Sequence, residues 1–295
     1  MSTLQIAAVQ FSAGPDPADN LERIGALART VAGAELIVFP EASMARFGTR
    51  LTEVAEPPDG RFADGVRALA AELGSTLVVG MFTPAVDDTP AAVDTPAAVD
   101  TPAADTPADD TPAAGDTPAA GAPRPRVRNT VLITGPGGEW VYHKIHLYDA
   151  FGGKESTVVQ PGAELVTFGC GGLTVGVATC YDLRFADQFT ALGQAGAELV
   201  VVPASWGDGP GKAEQWDLLT RVRAMDAQSW LLASDQPVPD PLPRVAAGSP
   251  LGVGRSALVD PLGGLRARLD HRPGVLVATV DSDTVEQARA LLPLL

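Results

Sequence analysis

The 295-residue sequence predicts an α/β fold in which helices cover mixed β-sheets. Short apolar runs rich in β-branched residues alternate with amphipathic helical patterns along most of the chain. Two similar segments, residues 33–43 (GAELIVFPEAS) and 196–206 (GAELVVVPASW), indicate two equivalent halves. Hairpin-like spacings in the middle and near the end add antiparallel strands to the parallel ones.

The N-terminal part contains a regular alternation of strands and helices. Strands are predicted at residues 4–11 (LQIAAVQF), 35–40 (ELIVFP) and 76–82 (TLVVGMF), with helices at residues 20–34 and 62–74.

The C-terminal part continues this pattern with more strands. A helix is predicted to follow the strand at residues 173–179 and to run through Leu192, and a long helix is predicted at residues 213–230. The predicted strands are residues 129–134 (NTVLIT), 140–147 (WVYHKIHL), 173–179 (LTVGVAT), 198–203 (ELVVVP), 230–234 (WLLAS), 254–260 (GRSALVD) and 275–280 (VLVATV).

A low-complexity segment interrupts this pattern, because the triplet Asp-Thr-Pro occurs six times between Met81 and Asn129. Frequent proline removes backbone donors, and alanine, aspartate and threonine offer little apolar surface to bury. We therefore predict that residues 85–123 form a disordered insertion within one domain that spans residues 1–295. A tolerated surface expansion at a hairpin tip explains it simply, and a functional tether is the alternative.

Composition excludes several classes of protein. The net charge of −15 includes eight aspartates and no lysine or arginine in residues 85–123, which leaves −7 for the remainder. Neither value provides the basic patch that nucleic acid or an anionic membrane needs, so we expect neither partner. No apolar run is long enough to span a membrane, and the N-terminus lacks an export signal. With two distant cysteines, a reducing cytoplasmic location is expected.

The repeated segments point to one edge of the fold. Each is a buried strand that ends at a proline, and the carboxyl ends of such strands in α/β folds usually carry the functional site. At this edge the first copy has Glu41 where the second has Ala204. The first copy therefore carries a carboxylate, Glu41, that the second copy lacks, which suggests a functional role. An acid that starts a helix is the alternative interpretation.

Cys180 follows a predicted strand and precedes a predicted helix, with Asp182 near the helix start. The positive end of a helix dipole favours the thiolate, which is the nucleophilic form of cysteine. A buried structural cysteine is the alternative. Cys170, in the segment FGCGG, has no comparable position, and we expect it to be structural.

The sequence lacks the residue patterns expected for a zinc site, a serine hydrolase or a nucleotide-binding enzyme. His143 and His146 lie three residues apart in an extended segment, so their side chains point to opposite faces and chelate zinc poorly. No nucleophile elbow, phosphate-binding loop or dinucleotide fingerprint occurs in the right context. Lys144, inside an otherwise apolar and aromatic predicted strand, is unusual, although a solvated edge lysine would also fit.

Three ordered segments, FPEAS (residues 39–43), HKIHLYD (143–149) and CYDLRF (180–185), resemble the nitrilase superfamily of carbon-nitrogen hydrolases. The resemblance covers nearly the whole chain apart from the insertion. It implies a four-layer αββα sandwich, pairing of two chains as a homodimer, and a hydrolase that requires no metal or organic cofactor.

The resemblance also implies roles for individual residues. Glu41 becomes the general base, Lys144 the cation that stabilises the tetrahedral intermediate, and Cys180 the nucleophile. Glu155, in GKESTVVQPG, fits the second acid of the family, which orients the lysine; a solvated loop acid is the alternative.

The segment CYDLRF resembles the amidase branch that includes omega-amidase and deaminated-glutathione amidase. We expect the backbone N–H of Tyr181 to join Lys144 in binding the oxyanion, and Arg184 to pair with a substrate carboxylate. Arg184 could instead pair with Asp182 or Asp187 on a helix surface. Tyr148 and Trp206 are expected to form pocket walls.

The predicted substrate is therefore a small carboxylic acid with a terminal amide, which the enzyme hydrolyses with release of ammonia. Within the superfamily, an N-carbamoyl amino-acid hydrolase or a nitrilase is the alternative. From a different class, a non-catalytic binding module would use the insertion to capture a partner.

Overall fold

The computed structural model describes residues 2–85, 125–245 and 249–295. The predicted disordered insertion at residues 85–123 lies outside the described residues, apart from Ala85. Within the described ranges, no helix is both long and apolar enough to cross a membrane.

The first sheet contains six strands. The central three are parallel to one another, and the outer strands pair antiparallel with their neighbours. In spatial order the strands are β12 (Gly274–Asp281), β1 (Thr3–Gln10), β2 (Leu36–Val38), β3 (Thr76–Pro84), β4 (Val127–Gly135) and β5 (Gly138–His143).

The second sheet also has six strands and the same arrangement of three central parallel strands. In spatial order the strands are β11 (Leu265–Arg268), β10 (Ala257–Val259), β9 (Trp230–Asp235), β8 (Leu199–Ala204), β7 (Leu173–Val177) and β6 (Val166–Cys170).

The helices are α1 (Pro17–Arg29), α2 (Leu51–Val54), α3 (Arg61–Leu73), α4 (Ala186–Gln194), α5 (Lys212–Ala227) and α6 (Ser282–Leu291), with short 3₁₀ turns at Glu155–Thr157 and Cys180–Arg184.

Side-chain packing arranges these elements in four layers. One apolar core lies between the sheets and takes alternate residues from both, such as Ile6 and Val38 opposite Val175 and Val201. A second core packs α1 and α3 on the outer face of the first sheet. A third packs α4 and α5 on the outer face of the second sheet. The α-β-β-α sandwich that the resemblance implied is therefore confirmed.

The repeated segments occupy equivalent places, as the sequence predicted. β2 lies between β1 and β3, and β8 lies between β7 and β9, each as the middle strand of a parallel triplet. The carboxyl ends of these strands therefore open at one edge of the sandwich, where Glu41 and Ser205 lie.

Candidate active site

Glu41 lies in a turn that begins three residues after β2 and is buried. The turn packs closely on β3, where a Cβ atom on Gly80 would come within 2.7–2.9 Å of the backbone of residues 40–42. The N–H of Met44 donates to the carbonyl oxygen of Gly80 at 3.0 Å. The absence of a side chain at Gly80 thus allows the turn to hold Glu41 beside the sheet.

Lys144 is the residue directly after β5, so the prediction that it lies inside this strand is wrong by one residue. Its backbone N–H still donates to the carbonyl oxygen of Asn129 at 2.9 Å, which continues the pairing with β4. The side chain is only 2% exposed, and Nζ donates to Glu41 Oε1 and to Glu155 Oε2, each at 2.9 Å. The buried ammonium is thereby paired with two carboxylates.

Asn129 was not predicted as a site residue, although it is a polar residue in an apolar strand. Its Nδ2 donates to Glu41 Oε1 at 2.8 Å and to Glu155 Oε1 at 3.0 Å. Glu155 also accepts from the backbone N–H of Tyr148 at 2.6 Å. The amide of Asn129 and the ammonium of Lys144 therefore separate two carboxylates that would otherwise repel each other.

Cys180 lies three residues beyond the end of β7, with a φ of +47°. This left-handed conformation is uncommon for a residue with a side chain and marks a sharp change of chain direction. A 3₁₀ turn follows, and the continuous helix that was predicted here begins only at Ala186. The thiol is thus presented at the tip of a strand-to-turn connection.

The prediction that this position favours the thiolate is wrong for the free protein. Burial raises the pKa of the Cys180 thiol well above its ordinary value, and the Glu41 carboxylate raises it further, whereas Lys144 lowers it. The short 3₁₀ turn cannot supply the dipole of a long helix. The thiol is therefore protonated near neutral pH and needs a base to act as a nucleophile.

Glu41 has the properties of such a base. Burial raises the pKa of its carboxyl group, and the positive charge of Lys144 partly opposes this shift. Burial also disfavours the charged form of Lys144, but the attraction of Glu155 and Glu41 outweighs it and raises the lysine pKa well above its ordinary value. Lys144 therefore stays charged beside a carboxylate that can exchange a proton.

The two repeated segments meet at Glu41. Ser205 lies near the end of the second segment and donates its backbone N–H to Glu41 Oε2 at 3.0 Å. The same N–H also lowers the pKa of Cys180. Residues from both sheets therefore orient the carboxylate, as expected if both strand ends open at one edge.

Asp182 connects the segments that carry Lys144 and Cys180. Its carboxylate is fully buried and accepts from the Tyr142 hydroxyl at 2.6 Å, from the backbone N–H of His146 at 3.0 Å and from that of Thr179 at 2.8 Å. Tyr142 and His146 lie two residues before and after Lys144. The network thus fixes the lysine relative to the turn that begins at Cys180.

The two histidines of this segment point apart, as the sequence predicted. His146 Nδ1 lies 2.9 Å from Asp182, whereas His143 Nδ1 lies 3.1 Å from Thr130 on β4. Burial lowers the pKa of His143 to about 4, with a further contribution from Arg128. The pair does not form a common metal site.

A cavity of about 370 Å³ is lined in part by Glu41, Lys144, Glu155 and Cys180. Its walls include all four side chains that were predicted to contact substrate. Tyr148 and Tyr181 pack edge to face at 5.4 Å, and the Arg184 guanidinium carbon lies 5.0 Å from the ring centre of Trp206. The cavity lining is Glu41, Lys144, Tyr148, Glu155, Cys180, Tyr181, Arg184, Trp206 and Lys212, with further residues of the surrounding loops.

Arg184 does not pair with an acid on a helix surface. Asp182 accepts from other donors, and Arg184 Nη2 donates to the neutral side chain of Gln215 at 2.7 Å. Lys212, which was not predicted as a site residue, lines the same cavity. The segment GPGKAEQW gave no signal for a site residue, because a lysine at a helix start is usually solvated.

The arrangement supports nucleophilic attack on an electrophilic carbon. A protonated thiol, a carboxylate of raised pKa and a fixed ammonium line the same cavity. These are a nucleophile, a proton acceptor and a group that can stabilise a developing oxyanion.

The sequence matches the family described as carbon-nitrogen hydrolase over residues 5–98 and 113–290. A hydrolase of Mycobacterium tuberculosis (strain ATCC 25618 / H37Rv) is 42% identical over 97% of this chain and 92% of the relative. The deaminated glutathione amidase of Escherichia coli O157:H7 is 37% identical over 52% of this chain and 55% of the relative. The omega-amidase of Mus musculus is 28% identical over 100% of this chain and 95% of the relative.

Solved structures share the fold. A CN-hydrolase superfamily protein from Xanthomonas campestris superposes with a TM-score of 0.74 at 24% identity, covering 99% of this chain and 96% of that one. An amidase from Nesterenkonia sp. gives a TM-score of 0.67 at 22% identity, covering 99% and 95%. At these identities the likeness shows the four-layer sandwich alone.

Proposed function

Because the chain belongs to the carbon-nitrogen hydrolase family of the nitrilase superfamily, we propose that it hydrolyses the terminal amide of a small carboxylic acid and releases ammonia. The observation that carries this proposal is the ammonium of Lys144 held 2.9 Å from both Glu41 and Glu155, on the cavity wall that also presents Cys180. Relatives named deaminated glutathione amidase and omega-amidase support an amide rather than a nitrile as the substrate.

In the first half-reaction Glu41 accepts the thiol proton while the sulfur of Cys180 attacks the amide carbon. The negative charge that develops on the amide oxygen is stabilised by Lys144 and the backbone N–H of Tyr181. The intermediate collapses when the C–N bond breaks, and Glu41 gives its proton to the leaving ammonia. The acyl group then remains on Cys180 as a thioester.

In the second half-reaction Glu41 takes a proton from water, which attacks the thioester carbon. The C–S bond breaks and the proton returns to the sulfur. The net reaction consumes one water molecule and gives a carboxylic acid and ammonia. Glu155 and Asn129 keep Lys144 and Glu41 in place but do not exchange protons in this scheme.

The raised thiol pKa fits this scheme, because attack and deprotonation then occur together rather than from a preformed thiolate. Glu41 lies close enough to the thiol for the two groups to shift each other's pKa. The buried position of both groups also excludes bulk water from the first step.

The test combines ammonia release with intact-protein mass for a panel of small ω-amides, N-carbamoyl amino acids and nitriles. We expect ammonia from an ω-amide and an added acyl mass that is present in C170A and absent in C180A. Carbon dioxide released with ammonia from an N-carbamoyl acid would replace the amide proposal by that alternative. No ammonia from any compound would contradict the proposed activity.

A further inference from the structure

Lys212 is a buried cation without a counter-ion in the described part of the chain. Lys212 is only 7% exposed. Nζ lies 3.2 Å from the ring centre of Phe151 and 5.9 Å from that of Tyr148, and no described carboxylate is within ion-pair distance. Burial of an unpaired charge is costly, so a partner supplied by a ligand would explain its retention.

Arg184 is a second cation with unused hydrogen-bonding capacity, and it lines the same cavity. Its one hydrogen bond among the described residues goes to a neutral amide, and its Nε is buried without a partner. Its guanidinium carbon lies 5.8 Å from the same Phe151 ring that Lys212 contacts. The two positive groups therefore lie near the ring of the same aromatic side chain.

The acids of the cavity cannot neutralise these two cations. Glu41 and Glu155 already accept hydrogen bonds from Lys144 and Asn129. The mutual repulsion of the two cations is visible in Lys212, whose pKa burial lowers to about 8, with Arg184 as a further cause. An anion between them would relieve this repulsion.

We propose that Lys212 joins Arg184 in binding the carboxylate of the substrate, so that both cations determine the selectivity for amides that carry a carboxylate. The fork of Arg184 supplies directed N–H donors, and Lys212 supplies a second, more mobile positive charge. The inference rests on the proposed function, because the bound carboxylate belongs to the substrate whose amide carbon Cys180 attacks. The assignment of Lys212 distinguishes it from the sequence prediction, which named Arg184 alone.

The experiment separates this proposal from the proposed activity by measuring binding without turnover. C180A protein is titrated calorimetrically with succinate, glutarate and adipate, and the best ligand is then titrated into C180A/K212M. We expect affinity to fall about 10- to 100-fold, as for loss of a charged hydrogen bond. C180A/R61M is the matched control, because Arg61 is an exposed cation at the start of α3 that does not line the cavity, and its affinity should change less than threefold.

A second measurement needs no variant. At pH 8 a bound carboxylate should raise the pKa of Lys212, so binding should be accompanied by proton uptake. Calorimetry in several buffers of different ionisation enthalpy measures this uptake. The proposal is overturned if no dicarboxylate binds to C180A, if K212M does not weaken binding, or if R61M weakens it equally. It is also overturned if binding takes up no protons, whereas absence of ammonia release would contradict only the proposed activity.

Discussion

The backbone N–H of Ser205 donates to Glu41 Oε2 at 3.0 Å, and this hydrogen bond joins the end of β8 in one sheet to the turn after β2 in the other. The two segments share a sequence pattern, but only the first carries the acid and only the second supplies this donor. The candidate base is thus oriented by the other half of the sandwich, so its geometry depends on how the sheets pack.

Asn129 should act as a positioning residue for both carboxylates. We expect N129A to lower kcat about 10- to 100-fold, because each lost charge-assisted hydrogen bond contributes about 1.5–3 kcal/mol. The lost donor stabilised the charged form of Glu41, so the acid limb of the pH profile should move to higher pH. T134A, at another buried position of β4, should change neither quantity. A loss of stability without a shifted acid limb would contradict this role.

Glu155 should hold Lys144 in its charged, oriented state. E155Q keeps the shape of the side chain but removes one of two negative charges beside the ammonium, so kcat should fall about 100-fold with a smaller change in KM. E164Q, at an exposed loop position nearby in sequence, serves as the control and should remain within twofold of the wild type. Equal kcat values for E155Q and the wild type would show that Glu155 is not needed to orient Lys144.

Asp182 should stabilise the fold as well as the site. D182A leaves several buried donors without an acceptor, and we expect the free energy of unfolding in urea to fall by about 2–4 kcal/mol. D59A removes an exposed acid and should change it by less than about 0.5 kcal/mol. If D182A unfolds at the same urea concentration as the wild type, the buried network does not tie the Lys144 segment to the Cys180 turn.

Lys212 should give the enzyme an alkaline limb that depends on substrate charge. Its pKa is about 8, and the facing groups are Arg184, which lowers it, Cys180, which raises it, and the neutral rings of Tyr148 and Phe151. Above this pH the ammonium loses its proton, so kcat/KM for succinamate should decline.

The neutral isostere 4-methylpentanamide lacks the carboxylate and should show no such decline, and K212M should lose the limb for succinamate. If kcat/KM declines at the same alkaline pH with both substrates, the titrating group is not Lys212.

The sequence predicts the parts of the site whose local context is distinctive. Glu41 follows a repeated strand pattern, Lys144 interrupts an apolar segment, and Cys180 closes a strand, and all three meet in the structure. Asn129, the N–H of Ser205 and Lys212 were missed because their importance comes from contacts across the fold rather than from their neighbours in sequence.

The state of the thiol was mispredicted for a physical reason. A strand followed by a helical pattern implies a dipole that favours the thiolate, but burial and the nearby charge of Glu41 outweigh its effect on the thiol pKa.

Strands β6 and β11 and helix α6 were also not predicted, since their short or mixed patterns carry weak periodicity. The homodimer and the cytoplasmic location stay predictions.

Comparing the two cysteines of the chain as nucleophiles tests whether Cys180 carries the reaction. With the amide that yields ammonia, C180A should reduce kcat/KM by more than about 1000-fold, because the thioester route needs this sulfur. C170A alters a thiol near Thr76, on β3 of the first sheet, and should retain wild-type activity within about twofold. Substantial activity in C180A, or an equal loss in C170A, would contradict the account.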